Sequence, residues 1–311
     1  MKKILFLAAC VAAMSSCSNE ESAAPEIAQG DQVVSFVAGA GFTRSGIDAA
    51  AMKSYWSAND SIAIIRASDD KQAPASKFKS TAAEGDQTAV FTGSINADEK
   101  GYIAIHPYIG GGAWGTASIG LTKVQHPTAT SLDPKCDILW AKSEGYTLHF
   151  QRKVATINLI LKNAPASIGG EAVTSVNFAS TTGGFTGGYT SMSLADGTIT
   201  PNDYSAMGFG EPVYKEIEAQ YSAENAYVID GTKNTMLAAY ASEIEAGSTI
   251  TITVKTAHFN IVKTATVENA IKLEANKVTT FNVDLSSAKA TVGGTDASDI
   301  DDPTDGGSYD I

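Results

Sequence analysis

The chain has 311 residues, of which 43% are hydrophobic and 18% charged, and its formal net charge is -12. This balance is typical of a folded globular protein, and the length is sufficient for two domains of ordinary size. No cluster of Lys and Arg reverses the acidic field, so the composition argues against nucleic acid as a partner. The 28 glycines separate short apolar runs without a fixed period, which favours β structure over a repeat architecture.

The N-terminus predicts export and a lipid anchor. A cationic start at residues 1–3 precedes an apolar stretch at residues 4–13, and small residues lead directly into Cys17. The apolar stretch is too short for a membrane span, which needs about 20 residues, so residues 1–16 are predicted to be a lipoprotein signal peptide. We therefore predict lipidation at Cys17 and attachment to the outer membrane. Ordinary secretion with cleavage near this point is the alternative.

Residues 17–30 are polar and are predicted to form a flexible tether. Residues 18–21 (SNEE) resemble the acidic signal that directs lipoproteins of Bacteroidetes to the outer face of the outer membrane, and they can also be read as an acidic spacer. Cys10 leaves with the signal peptide and Cys17 carries the lipid. Only Cys136 then remains as a thiol, so an internal disulfide is excluded.

From residue 31 onward the apolar side chains repeat with a period of two. The first run places alternate residues on one face of an extended strand, namely Val34, Phe36, Ala38, Ala40 and Phe42. Strict alternation returns at residues 250–255 and 281–285, with turn clusters between the runs. Helical patterns are confined to residues 47–56 and to a short piece around residues 130–135. Many short strands at this spacing predict an all-β fold of packed sandwiches.

The clearest internal boundary is Asn163-Ala164-Pro165, directly after a strongly apolar run. It predicts an N-terminal β-sandwich at residues 31–164 and a C-terminal β-sandwich at residues 165–285. Each part is long enough to bury about two-thirds of its unfolded surface. Residues 286–311 contain six Asp and one Lys, and they are predicted to form an acidic flexible tail.

No motif for catalysis, metal binding or a cofactor stands out, so the sequence predicts a protein that is not an enzyme and has no cofactor. The four histidines are isolated from one another and from the cysteines: His106, His126, His149 and His258. Asp299, Asp301 and Asp305 suggest a calcium loop, but the spacing breaks at Pro303 and the closing Glu is missing. Three tryptophans could form a sugar platform, although the first and last lie among apolar residues typical of a core: Trp56, Trp114 and Trp140.

Several stretches in a fixed order resemble the fimbrillin family, the pilins and related surface lipoproteins of Bacteroidales. The resemblance covers residues 33–285 and depends on these segments: FTR at 42–44, YWSANDSIAI at 55–64, FTG at 91–93, YIAIHPY at 102–108, DILWA at 137–141, LHFQRKVA at 148–155 and LEANKVTTF at 273–281. The chain departs from the family at residues 58–60, where Gly-Asp is usual, and at Arg152, where His is common.

The resemblance implies two tandem transthyretin-like β-sandwiches and assembly with other pilin subunits into a fimbrium on the cell surface. In such pilins a trypsin-like protease cuts after an Arg that follows the first strand, and Arg44 is at the matching position. The strand removed would carry Val34, Phe36, Ala38, Ala40 and Phe42. An extended segment of another subunit then fills the groove, satisfying the open backbone and the apolar pockets.

The acidic tail does not fit a donor strand, which should carry several alternating apolar residues. The donor could instead lie in the last core strands before Leu285, or the chain could be an accessory, tip or terminating subunit. A third alternative is a lipid-anchored surface protein that never polymerises and binds a glycan or a host or bacterial partner. The sequence leaves these alternatives open.

Overall fold

The fold is taken from a computed structural model of the chain. The structure describes residues 32–38, 46–48, 53–69, 72–202, 213–286, 288, 290–292, 298–299 and 306–310. The predicted lipidation site Cys17 and the predicted cleavage site Arg44 lie outside the described residues, as do Ala40 and Phe42. Among the described residues, none belongs to an α-helix, and accordingly no helix there is long and apolar enough to cross a membrane.

Sheet I has eight strands, numbered here in chain order along the protein. Its spatial order is β13 (Thr147–Leu148), β1 (Gln32–Ala38), β7 (Ala89–Ile95), β6 (Ser76–Ser80), β4 (Ser61–Arg66), β8 (Tyr102–His106), β12 (Leu139–Ser143) and β14 (Gln151–Arg152). The strands at the two ends, β13 and β14, are separated in the chain only by His149 and Phe150. Sheet I must therefore curl round, and its concave side encloses a core.

Sheet II has five strands in the order β18 (Ile199–Pro201), β17 (Gly187–Ser193), β10 (Thr116–Leu121), β9 (Gly111–Ala113) and β5 (Gln72–Pro74). In β10 the burial alternates strictly, with Ala117, Ile119 and Leu121 buried and the residues between them exposed. A period of two is the geometric consequence of the pleat. One face of β10 therefore packs on a core and the other faces solvent.

Sheets III and IV are built largely from the second half of the chain. Sheet III has seven strands: β11 (Val124–Gln125), β19 (Glu216–Gln220), β16 (Ser175–Ser180), β22 (Thr249–Lys255), β23 (Phe259–Thr266), β26 (Ala290–Val292) and β27 (Ser298–Asp299). Sheet IV has four: β20 (Asn234–Ala239), β15 (Ala155–Lys162), β25 (Lys277–Asp284) and β28 (Gly306–Asp310). Two small ladders pair β2 (Gly46–Asp48) with β3 (Lys53–Tyr55) and β21 (Ser242–Ile244) with β24 (Ile271–Leu273).

Among the described residues, the buried side chains form three cores, which give the fold its sandwich character. Core A lies on the inner faces of sheets III and IV and includes Phe178, Ile252 and Phe281. Core B joins the outer side of sheet I to residues of sheets II and IV, for example Ile105 and Ile119. Core C lies within the curl of sheet I. Burial of each large aliphatic or aromatic side chain contributes about 1.5–3 kcal/mol, so these cores dominate stability.

The predicted all-β sandwich is confirmed, including the alternation at residues 250–255, where Ile250, Ile252 and Val254 are buried. The helical interpretation of residues 47–56 was wrong for the described part, because β2 and β3 pair there instead. An isolated helical turn is marginal, because it fixes several residues for one hydrogen bond. Short 3-10 turns occur at Pro134–Cys136, within the expected region, and at Ala166–Ile168.

The predicted division at residues 164 and 165 falls between strands that pair with each other. The strand before it, β15, pairs with β20 and with β25, which both come after it. Likewise, β10 pairs with β17, and residues Asp31–Ile311 group as one unit by their contacts. These contacts do not test whether the two parts fold separately, so the division into two sandwich domains stays a prediction. In the predicted tail, the described residues add backbone pairing to β23 through β26 and β27, and to β25 through β28.

Candidate functional site

The first strand, β1, is joined very unequally to its two neighbours. It runs antiparallel to β7 over seven residue pairs, from Gln32 opposite Ile95 to Ala38 opposite Ala89. Among the described residues it is parallel to β13 through two pairs, Val37 with Thr147 and Ala38 with Leu148. Because β13 leads directly into β14 at the far end of the sheet, β1 is the long strand beside the seam at which sheet I closes.

The sequence of β1 explains why it forms a strand with one buried face. Phe36 and Ala38 are fully buried in core C and Val34 is half-buried against it, as the alternation predicted. The opposite face is exposed, with 75% of Val33 and 43% of Val37 accessible. Whether this strand is displaced stays a prediction.

Phe36 fills an aromatic socket formed by Phe78 and Tyr102 of core C and by Tyr146, which is 47% exposed. The Phe36 ring centroid lies 5.3 Å from that of Phe78, 5.0 Å from Tyr102 and 5.3 Å from Tyr146, each in an edge-to-face arrangement. Such pairs contribute about 0.5–1.5 kcal/mol beyond the area they bury. Without β1, this socket would be open and β7 would present an unpaired backbone edge along its length.

A buried ion pair holds the opposite side of the seam. The Arg152 guanidinium on β14 donates two hydrogen bonds to the Asp137 carboxylate, with Nε 2.6 Å from Oδ1 and Nη2 2.7 Å from Oδ2. Neither side chain is accessible to solvent. Burial raises the pKa of Asp137, and the charge and hydrogen bonds of Arg152 oppose that shift. The pair fixes β14 beside the loop that precedes β12.

His106 extends this ion pair into a buried charged cluster of Asp60, His106, Asp137 and Arg152. Its Nδ1 lies 2.9 Å from the carbonyl oxygen of Asp137, and its Nε2 lies 3.4 Å from Oδ1 of Asp60. Burial by itself lowers the pKa of His106. The hydrogen bond and charge of Asp60, with further help from Asp137, outweigh burial and bring the pKa above its ordinary value of 6.5.

The charged cluster adjoins core C through Trp56. The Trp56 ring lies 6.2 Å from the ring of His106, 5.0 Å from Phe91 and 5.5 Å from Phe150. The sequence did not predict this cluster, because its four members come from separate segments and His106 was interpreted as an isolated residue. Within the described residues, no group of His, Cys, Asp and Glu side chains could hold a metal ion.

Comparison with known proteins gives matches at the level of structure. No family model matches the chain, and no curated protein matches its sequence. A protein of Bacteroides ovatus named for cell adhesion matches with a TM-score of 0.50 at 13% identity, over 85% of this chain and 96% of that one. A protein of Bacteroides uniformis with the same kind of name gives 0.48 at 16% identity, over 84% and 98%. A fimbrial protein of Bacteroides ovatus gives 0.38 at 13% identity, over 85% and 50%.

The chain shares the fold of the first of these proteins. At 13% identity the likeness concerns fold alone, and the two lower scores are too weak to support an argument. The predicted resemblance is thus confirmed at the level of fold, as a likeness to a Bacteroides ovatus protein named for cell adhesion.

Truncation of Phe36 tests how much sheet I depends on β1. We expect Phe36→Ala to lower the free energy of unfolding by about 3–5 kcal/mol, because it empties the aromatic socket. Val33→Ala, on the exposed face of the same strand, should change it by less than about 0.5 kcal/mol. Urea denaturation with linear extrapolation measures both values. Equal costs for the two variants would contradict the placement of Phe36 in the core.

Removal of one partner tests the buried ion pair. Arg152→Met leaves the Asp137 carboxylate without its cation, so we expect a loss of about 3–5 kcal/mol in the free energy of unfolding. The double variant Arg152→Met with Asp137→Leu should cost less than the single one, since no charge is then stranded. Lys123→Met removes an exposed pair with Glu216 and should cost at most about 1 kcal/mol. A single-variant cost no larger than that of Lys123→Met would argue against a structural role for the pair.

The raised pKa of His106 predicts a specific pH dependence. A group whose pKa is higher in the folded state stabilises the fold fully below its unfolded pKa, and that stabilisation is lost as the pH rises through the folded pKa. Stability should therefore fall as the pH rises above the ordinary histidine pKa of 6.5. His106→Asn should flatten the dependence in this window. Urea unfolding at several pH values measures it, and identical slopes for both proteins would refute the assignment.

Proposed function

We propose that the chain is a structural or adhesive pilus subunit, exported as a lipoprotein and assembled at the cell surface by proteolysis and donor-strand exchange. The observation that carries the proposal is the position of β1 beside the seam of sheet I, with one long partner strand and one short one. The shared fold with a Bacteroides protein named for cell adhesion supports a surface role. Attachment through Cys17 would hold the subunit at the outer membrane before assembly.

Loss of β1 would create a groove suited to another strand. The edge of β7 would offer alternating N–H and C=O groups, and the socket of Phe78, Tyr102 and Tyr146 would accept one large apolar side chain. An incoming strand with apolar residues at alternate positions satisfies both requirements. Its largest side chain should occupy the place of Phe36, with smaller ones at the places of Val34 and Ala38.

Arg44 follows the first strand, as the proposed cleavage requires. The chain has two other arginines, and each of them forms an ion pair: Arg66 with Asp69 and Arg152 with Asp137. Arg44 belongs to the segment between the end of β1 at Ala38 and the start of β2 at Gly46. A cut after Arg44 would leave β1 joined to the protein only by its pairing and its buried side chains.

Neither β25 nor β28 has the properties expected of a donor strand. In sheet IV, β25 lies between β15 and β28, and its Val278, Phe281 and Val283 are buried, so its departure would open the core. By contrast, β28 lies at the edge of sheet IV among the described residues and pairs there with β25. An edge strand can leave with the loss of one ladder. Its sequence, GGSYD at residues 306–310, lacks the alternating apolar residues that a donor strand needs, so neither strand is favoured as the donor.

Digestion of the purified mature protein with an arginine-specific protease tests the proposal. We expect the first cut after Arg44, giving residues 45–311 by mass spectrometry, followed by ladders on non-boiled gels and filaments in negative-stain micrographs. Arg44→Gln should abolish both the cut and the filaments, and Arg66→Gln should leave both unchanged. A first cut at Arg66 would refute the maturation step. A cut at Arg44 that leaves a stable monomer would refute assembly and favour an anchored surface protein.

A further inference from the structure

A distinct feature of sheet II is the hairpin that joins β9 to β10 through Trp114 and Gly115. From its geometry we propose that Trp114 and the hollow beside it bind a neutral oligosaccharide. The tryptophan is 77% exposed, whereas Trp56 and Trp140 are buried in the cores. The proposal is independent of whether β1 is displaced, because it concerns the solvent face of a different sheet.

The backbone of the hairpin holds Trp114 in a conformation that its side chain does not favour. Trp114 has φ of 54° and Gly115 has φ of 74°, and the flanking residues Ala113 and Thr116 are paired across the two strands. Two central residues with positive φ form the tight hairpin turn in which Asn-Gly is the preferred sequence. A bulky residue at such a position carries backbone strain, and retained strain of this kind points to a functional site.

The two strands that lead into this turn lie too close together for Gly112 to be replaced by a larger residue. A Cβ atom added at Gly112 would collide with the carbonyl oxygen of Thr116 on the facing strand. The glycine therefore permits the tight approach of β9 to β10. The hairpin projects Trp114 from a rigid ladder.

Short polar side chains lie on the solvent face of sheet II beside the tryptophan. One cross-strand row runs from Gln72 through Ala113 and Thr116 to Ser193. A second row, one pleat further along, runs from Ser118 through Ser191 to Thr200. Gln72, Thr116 and Ser118 are exposed, since Ala73, Ala117 and Ile119 face the core. The face thus offers amide and hydroxyl groups above a floor of small residues.

An open hollow of about 760 Å³ lies at the end of these rows. Its lining combines the Trp114 ring with polar side chains and glycine-rich backbone: Gln72, Ala73, Pro74, Gly110, Gly111, Gly112, Ala113, Trp114, Thr116 and Ser118. This volume is within the range of small-ligand sites. Because the hollow is open, a ligand in it would keep one face in solvent and would be oriented by a few polar groups of the lining. The hollow is large enough for more than one sugar ring.

The chemistry of the lining favours a neutral sugar over other small ligands. No lining residue is charged, so the hollow has no partner for a phosphate, a carboxylate or an ammonium group. The net charge of -12 also disfavours anionic ligands. A pyranose ring has an apolar C–H face that packs on an indole, and its hydroxyl groups match Gln, Ser and Thr side chains. The hollow offers both an indole ring, from Trp114, and Gln, Ser and Thr side chains.

Calorimetric titration with cellotriose, maltotriose, laminaritriose and lactose tests the proposal on the full mature chain, with trigalacturonic acid as the anionic comparison. We expect saturable binding of at least one neutral sugar and none of the anionic one. Trp114→Asn should weaken binding by about tenfold or more, as truncation of a central aromatic anchor does. The control Tyr214→Ala, which removes an exposed aromatic outside the hollow, should bind like the wild type.

The melting temperature of Trp114→Asn provides the second measurement. Asn tolerates positive φ and is preferred in this turn, so the variant should melt at or above the wild-type temperature. Lost binding with retained stability would thus support a ligand site. The proposal is overturned if no neutral sugar binds at concentrations up to about 10 mM, or if Trp114→Asn binds as the wild type does.

Discussion

The structure depends on the closure of sheet I around its own aromatic core. The two end strands of this sheet are adjacent in the chain, so the sheet curls. The strand β1 lies where the curled sheet closes, and its Phe36 covers the core there. The seal combines backbone pairing to β7 with the burial of one aromatic side chain among three others. Without it, both an unpaired strand edge and an apolar socket would be exposed to water.

The two sides of the seam are held by forces of different kinds. On one side Arg152 and Asp137 form a dry, doubly hydrogen-bonded pair whose separation would strand a buried charge. On the other side the short ladder to β13 adds little to what β7 supplies. A β-sheet in which one side is fixed and the other can be exchanged is well suited to our proposed assembly, because the replacement strand restores the contacts that β1 leaves.

The sugar site that we infer lies on sheet II and depends on an exposed side chain, not on backbone pairing. Sheet II buries its aliphatic face in core B and presents small polar side chains outward, so Trp114 is the large apolar group of its hollow. Binding there would not compete with the groove of β1 in sheet I. A subunit organised in this way could hold its neighbours through one sheet and a glycan through another.

The sequence by itself determined the all-β class and the inward face of β1, because the pleat turns an alternation of apolar residues directly into one buried face. The prediction of a helical turn at residues 47–56 failed, since pairing between β2 and β3 outweighed a local pattern. The apolar neighbours of Trp56 and Trp140 in the sequence predicted their burial, which is confirmed. Tertiary structure alone decided that Asp60, His106, Asp137 and Arg152 meet, and that Trp114 is exposed. Long-range register sets these contacts, and no local period encodes which strands become neighbours.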